Sequence, residues 1–546
     1  MPCRFASSLK AMSVQNGVGN FGKAHLTGWV PTVNHHEEQP LFDVATTTAS
    51  DLQEMLTAGR ITSVQVLYEY YRQILSYNGY LKGVYRLFHG AIDRAKELDD
   101  KRSAGHFLGP LHGIPVLIKD NISTEESMGM DNTGGNLALV GSTAFKNATI
   151  VDRLLAAGAI ILGKATLSEM MWFKGTSIRC GWSALHGQSH NPYIPGGVDM
   201  SDGLGGHSSP GGSSSGSGIS VAAGFAPIAI GTETEGSLIS PSTRQSLYTI
   251  KPTLGTVPNT GIMPVSIYLD VPGPMCRSVR DTADLLTVLA GKDHPNIPAD
   301  GFNSAMKGAE GWKSLKVGTL DPVKFRYDSS LQTPIPEAIE QIHQATLEGY
   351  ERIKTLAQSY HGYVELRPHQ DFDIDGKNSF VELMVADFED DFNEYLKGMK
   401  NTNIGSAKEL AEWNRAHADL VLPSEYPNQD FIDQSIAFDH MSHRRQELMD
   451  HITAVGKSLP DAMAKYNLDV VIGPADSWFS KYSAATGYPL CSLPLAYIAY
   501  NGRPVGLEAM ARSEATLVTL MSAFEATFPQ RKPPTAYLAR KSTDNA

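Results

Sequence analysis

Residues 210–237 read PGGSSSGSGISVAAGFAPIAIGTETEGS, two clusters of glycine and small hydroxylic residues separated by a short apolar run. No other stretch limits the fold as much. A segment this rich in small residues is either a flexible linker or a loop packed so closely that larger side chains do not fit. Close packing would present backbone N–H groups and small hydroxyls side by side, the surface that a developing oxyanion needs. The flanking sequence decides between the two.

Those flanks alternate amphipathic helices with short apolar strands, the pattern of a layered α/β protein. Residues 48–59 are expected to form a helix capped by Ser50 or Asp51, with Leu52, Met55 and Leu56 on one face and Gly59 as the stop. Residues 62–75 repeat the pattern behind Ser63, residues 85–88 read as a strand and 91–101 as a further helix. In PLHGIPVLIKDNI (110–122), Val116, Leu117 and Ile118 make a buried strand with Lys119 at its C-terminal end, where sites gather in open α/β sheets. Lys119 either leaves that strand desolvated, with lowered basicity, or pairs with Asp120 at the surface. Residues 149–168 predict a helix, a turn at Gly158 and a strand.

Downstream, strands are expected at 228–231, 248–250, 363–366, 468–472 and 491–495, and helices at 280–290, 335–358 and 514–528. The second of these helices is the longest. Residues 370–450 carry clustered acids such as Glu389, Asp390 and Asp391, and predict helices covering one sheet edge with a solvated charged face.

With 546 residues, 42% of them hydrophobic, the chain can bury a large core. A net charge of −12 with scattered Lys and Arg argues against nucleic acid or an anionic membrane as the partner. Cys3, Cys180, Cys276 and Cys491 show no CxxC spacing and read as reduced thiols, which indicates neither a disulfide frame nor a zinc site. His186 and His190 are four apart, but Gly187 between them favours loop histidines over a metal pair on a helix. No apolar run reaches the ~18 residues of a membrane span. The first 36 residues lack acids and carry Arg4, Lys10 and Lys23; they are expected to be disordered or extended in a cytoplasmic protein, with an organelle-targeting segment as the alternative.

Three serine chemistries fit the glycine-rich stretch unequally. The run from Gly212 to Gly216 satisfies G-x-S-x-G around Ser214, but a nucleophile elbow needs a preceding strand, and GLGGHSSPGG cannot be one. A phosphate loop needs Lys-Ser or Lys-Thr after its glycines, where this chain has Ile219 and Ser220. The third combines Lys119, a serine of the first cluster and Ser237.

Here the sequence resembles the amidase signature family of serine hydrolases. The resemblance lies in GIPVLIKDNI, PGGSSSGSG, GTETEGS, SLYTIKPTLG and the Gly273-Pro274-Met275 run. It extends through ATIVDRLLAAGAIILGKATLSEM, GWSALHGQSHNPY, ELAEWNRAHAD and ATGYPLCSLPLA, covering about residues 42–528. It implies a large twisted mixed β-sheet covered on both faces by α-helices. One such domain is expected over 43–530, with a more variable helical cover at about 300–465 and a tail over 531–546.

The resemblance also implies a catalytic set of Lys119 as base, Ser213 as bridging serine in a cis peptide, and Ser237 as nucleophile. The 24-residue gap between the two serines is the reason for preferring Ser213 over Ser214 or Ser215. Lys119 must then be neutral to act, which requires its pKa to fall by about three from ~10.4. The backbone N–H groups of Thr234, Glu235, Gly236 and Ser237 are the expected oxyanion hole. Many members have glycine where this chain has Glu235, a replacement that requires negative φ there. Acids at this place also occur in the branch with bacterial peptide amidases, which the chain resembles more than it does the tRNA-dependent amidotransferase subunit.

The expected activity is hydrolysis of carboxylic C–N bonds in a small-molecule amide, without cofactor or metal. Amide transfer with a synthetic partner is the alternative, and a homodimer is open. Regions 125–145, 300–335 and 370–450 are the least family-like and are expected to shape the pocket.

Overall fold

The structure is a computed structural model that describes residues 39–540. The expected disordered segment falls outside the described residues as far as residue 38, and with it Cys3 and the basic residues Arg4, Lys10 and Lys23. From there the chain is anchored at once: Phe42 is buried, its ring centroid 5.7 Å from that of Tyr70.

Eleven strands form one sheet: β1 (Val84–Leu87), β2 (Pro115–Lys119), β3 (Ile160–Ala165), β4 (Ile228–Glu233), β5 (Tyr248–Lys251), β6 (Val271–Cys276), β7 (Lys316–Thr319), β8 (Ser359–His361), β9 (Val470–Pro474), β10 (Leu490–Tyr497) and β11 (Pro504–Ala511). Their spatial order is β1-β3-β2-β4-β6-β5-β10-β11-β9-β7-β8. The sheet is mixed. β2 runs parallel to both β3 and β4, and β7 runs parallel to both β8 and β9, whereas the other neighbours are antiparallel.

Alternate residues of a strand face opposite sides of a sheet, and here the two sides feed two cores. Val470 and Ile472 join the larger core with Tyr350, Leu517 and Phe524, while Val471 joins the second with Phe380, Leu448, Ile452 and Tyr482. Leu507 and Ala509 divide from Met510 in the same way. Helices therefore cover both faces, which is why several strands read as unbroken apolar runs.

Local chemistry corrects several boundaries. The first helix, Ala49–Thr57, is capped by Thr48, not Ser50 or Asp51; Asp51 instead returns a bond to the Thr48 backbone in a capping box. The second, Ser63–Leu81, is capped by Thr62 rather than Ser63 and runs six residues past the expected end, until Lys82 turns left-handed. The expected strand at 363–366 does not form. Its place in the sheet is taken by β8, and Tyr363 at φ 55° breaks the extended chain just after it.

The acid-rich region is also more than a solvated face. Asp387 on the helix Ser379–Leu396 is buried and ion-paired with Arg445 at 2.5 Å. Residues 531–540, expected as part of a tail, pack onto the body: Tyr537 is buried and donates to the Ala223 carbonyl, and Arg531 donates to the Ser246 and Ala45 carbonyls.

The register of one parallel pair brings two polar side chains together. Ile118 of β2 lies opposite Ile230 of β4, so Lys119 ends β2 level with Gly231, one residue before Thr232 near the C-terminal end of β4.

Candidate active site

Lys119 is fully buried, not paired with Asp120 at the surface. Its Nζ donates to Ser213 Oγ at 2.8 Å, to Thr232 Oγ1 at 2.9 Å and to the Thr232 carbonyl at 3.1 Å. Burial pushes its pKa down to about 7, against the upward pull of Asp270 and Glu233. Asp120 turns elsewhere, accepting from the Thr133 hydroxyl and the Gly135 N–H. Asn121 Nδ2 donates to Thr232 Oγ1 at 3.1 Å and to the Met263 carbonyl at 3.2 Å, so it fixes the residue that holds the lysine.

Ser213 is fully buried and follows a cis bond from Gly212, the single non-proline cis peptide among the described residues. A Cβ on Gly212 would stand 2.5 Å from Ser168 Oγ and 3.2 Å from Cys180 Sγ, so a larger residue does not fit. The neighbouring serines bond the backbone. Ser214 Oγ donates to the Thr232 carbonyl and accepts from its N–H, Ser215 Oγ donates to the Gly211 carbonyl, and Ser217 Oγ donates to the Ile230 carbonyl. The first cluster is thus a packed loop opening the helix Ser215–Ala222, and the linker reading is excluded.

Ser237 sits where β4 turns into the helix Ile239–Arg244, and the Ser214 N–H donates to its carbonyl at 3.3 Å. That bond joins the two ends of the glycine-rich stretch. Glu233, buried at the end of β4, accepts from the Leu238 N–H at 2.7 Å and the Ile239 N–H at 3.1 Å and so caps that helix. Thr234 Oγ1 donates to Asp270 Oδ1 at 2.5 Å, and Asp270 also accepts from the Val265 and Ser266 N–H groups. Burial raises the Asp270 carboxyl to about 7.

Glu235 is not among the left-handed residues, as its replacement of glycine requires, and its Oε1 accepts from Ser480 Oγ at 2.9 Å. The left-handed position falls one residue later, at Gly236 with φ 79°. The turn is therefore held from three sides: by Glu233 beneath, by Asp270 at Thr234 and by Ser480 at Glu235.

Residues 234–237 line a cavity of about 400 Å³ together with Gly212. Its walls are mostly apolar: Met171, Trp172, Phe173, Val381, Phe431 and Trp478 are representative. Segments around 327–331 and 378–384 contribute, matching two of the three regions expected to shape a pocket. Region 125–145 does not line it. It lies behind the site, with Thr133 bonded to Asp120 and Asn136 Nδ2 to Glu169. A wider depression of about 1250 Å³ around Phe145 and Tyr395 contains none of the expected site residues.

The structure thus sets Lys119 against Ser213 and ties the next residue, Ser214, through the backbone to Ser237 in the turn at 234–237. Motif reading missed Asn121, Thr232 and Asp270. The first two adjoin motif residues and were visible in principle; Asp270 lies 36 positions beyond its partner Thr234 and was not.

The two loop histidines face rings, His186 against Tyr85 and His190 against Tyr80. Among the described residues no group of three or more His, Cys, Asp or Glu side chains is placed to hold a metal ion, and no helix is long and apolar enough to cross a membrane.

A model of the amidase family matches residues 65–516. A probable amidase of Arabidopsis thaliana is 30% identical over 508 residues, covering 90% of this chain and 92% of that protein. A subunit of the glutamyl-tRNA(Gln) amidotransferase of Cutibacterium acnes is 26% identical over 491 residues, covering 86% of this chain and 92% of its own. The structure of native peptide amidase from Stenotrophomonas maltophilia superimposes with a TM-score of 0.78 at 30% identity, over 90% of this chain and 99% of that one. Matched over most of its length in sequence and in fold, with its glycine- and serine-rich stretch packed around a buried lysine, this chain belongs to the amidase signature family, whose members act on carboxylic amides.

Proposed function

We propose that the protein hydrolyses carboxylic amides through an acyl-enzyme on Ser237, with Ser213 relaying the proton and Lys119 as the base. One observation carries this reading: a fully buried lysine with its pKa near 7 lies 2.8 Å from Ser213 Oγ, in the loop that packs against Ser237. A neutral amine has two N–H bonds and one lone pair. The Thr232 carbonyl can only accept and takes one N–H bond; with the second given to Thr232 Oγ1, the lone pair meets the Ser213 proton.

In acylation, Ser237 Oγ attacks the carbonyl carbon as its proton passes to Ser213 Oγ and the Ser213 proton passes to Lys119. The C–N bond then breaks, and the amine leaves with a proton returned along the same path. Water, deprotonated by the same relay, attacks the ester carbonyl and releases the acid and Ser237. The N–H groups of residues 234–237 receive the carbonyl oxygen as it gains charge, each donor worth ~10²–10³ in rate. Residues 43–530 act as one catalytic unit in which the cover at 300–465 supplies cavity walls.

The test is a panel of primary, aryl, peptide and fatty amides, run beside labelling by a fluorophosphonate. Ser237→Ala should lose both turnover and label, and substantial activity in that variant overturns the assignment. Product formation that depends on ATP and glutamine would favour amide transfer instead.

A further inference from the structure

One wall of the cavity has an unusual backbone. Met170, Met171 and Trp172 are all left-handed, with φ of 51°, 55° and 73°. For residues with a Cβ this conformation is sterically disfavoured, and three in succession persist only where the surroundings impose them. The surroundings do so here. Glu169 and Lys174, at the two ends of the turn, are fully buried and ion-paired at 2.9 Å.

Every remaining group of that pair is engaged. Glu169 accepts from Asn136 Nδ2 and from the Ala184 N–H, both at 2.8 Å. Lys174 Nζ donates to the Val421 carbonyl and lies 5.5 Å from the Trp182 ring centroid. The Met170 N–H donates to the Gly134 carbonyl at 2.8 Å. One residue before the turn, the Ser168 N–H donates to the Ser213 carbonyl at 3.1 Å, which ties the wall to the loop of the bridging serine. Met171, Trp172 and Phe173 line the cavity that holds Ser237. A buried ion pair is a poor source of stability compared with apolar packing, so its place here points to conformational specificity.

We propose that the turn from Glu169 to Lys174 is a substrate-selecting wall. It holds Met171 and Trp172 against an uncharged aryl or branched alkyl group carried by the amide, and Glu169 and Lys174 are its positioning residues. This rests on the reading of Ser237 as the nucleophile.

The test uses the full chain and two series of amides. In one the acyl group grows from acetyl through phenylacetyl to diphenylacetyl, and in the other the amine grows from methylamine through benzylamine to diphenylmethylamine. Met171→Ala and Trp172→Ala are expected to shift the kcat/KM ratio of the largest to the smallest member at least tenfold in one series. Glu169→Gln, which keeps the shape and removes the charge, is expected to raise KM for the phenyl-bearing amides by a larger factor than it lowers kcat. Met171→Gly keeps the test open if an alanine variant misfolds, because glycine accepts φ near 55°.

Fluorophosphonate labelling of wild type and Ser237→Ala separates the nucleophile from the wall. Label that survives in Ser237→Ala overturns the nucleophile. Label lost there, with size ratios moving less than threefold in every wall variant, overturns the wall alone.

Discussion

Lowering the pH should silence Ser237 through Lys119. Burial takes this lysine from an ordinary 10.5 to about 7. A fall of about 3.5 in pKa corresponds to roughly 5 kcal/mol of lost preference for the charged form. About half of the molecules then hold a neutral lysine at pH 7, against roughly three in ten thousand for an unshifted one. The rate of fluorophosphonate labelling, which needs no knowledge of the substrate, should follow the neutral fraction. It should rise about tenfold per unit below pH 6.5 and level off above pH 8. At pH 5 it should be about 1% of the plateau. A rate that keeps climbing tenfold per unit past pH 9 would show an ordinary lysine, and a flat profile from pH 5 to 8 would remove Lys119 as the base.

The same shift fixes the sign of a stability effect. The folded pKa lies below the unfolded one, so between pH 7 and 10.5 the unfolded chain binds the extra proton. Stability from this group therefore rises with pH across that window and is at its floor below pH 7, where the full cost applies. Lys119→Met has no such proton to lose. Its stability relative to wild type should fall by about 3–4 kcal/mol from pH 7 to pH 10, read by urea unfolding at each pH. Parallel curves for the two proteins would refute the burial of a neutral amine independently of any catalysis.

Other expectations follow from single contacts. Ser213→Ala removes the hydroxyl next to Lys119 Nζ and, on the proposed relay, should lower labelling and amide turnover by ~10²–10⁴-fold while leaving the fold intact by circular dichroism. Thr234→Val breaks the bond to Asp270 that anchors the turn and should lower kcat by ~10-fold or more with a smaller change in KM. Glu235→Gln removes the carboxylate from the cavity rim and should improve kcat/KM for anionic amides several-fold relative to their neutral isosteres. Asp476→Asn leaves buried Arg244 and Arg503 without their shared counter-ion and should cost about 3–5 kcal/mol, seen as a lower thermal midpoint.

How much of this was legible in the sequence depends on where each contact closes. The strand of Val116, Leu117 and Ile118 and the serine cluster were readable because their chemistry is local. An unbroken apolar run means burial on both faces, and glycines beside serines mean a tight loop once the flanks exclude a linker. The resemblance to a family then selected Ser213 over Ser214, which the residues alone did not. Boundaries failed where a single backbone angle decided them. Nothing in the pattern announces that Tyr363 turns left-handed and ends the strand early, or that Lys82 rather than Leu75 closes the second helix. The cavity walls failed for another reason. Met171, Tyr327, Val381 and Trp478 are spread over some 300 positions and meet only through the tertiary fold, so each looks like ordinary core in its own segment.

The arrangement also explains why one site needs so much of the sheet. Lys119 owes its lowered basicity to the exclusion of water, and a fully buried amine must find acceptors that do not themselves bring a counter-charge into contact. The parallel pairing of β2 with β4 supplies them from one residue, since Thr232 offers a carbonyl and a hydroxyl beside the end of β2. Asp270 and Glu233 act on Lys119 only through space and raise its basicity, but each is already engaged: Asp270 with Thr234, Val265 and Ser266, Glu233 with the amides that open the next helix. The carboxylates that shape the turn around Ser237 are thus kept out of direct contact with Lys119, where they would hold it as an ammonium. A carboxylate in place of Thr232 would satisfy the lysine better and lock it as an ammonium, so the weaker, neutral partner is the one that leaves it able to take a proton.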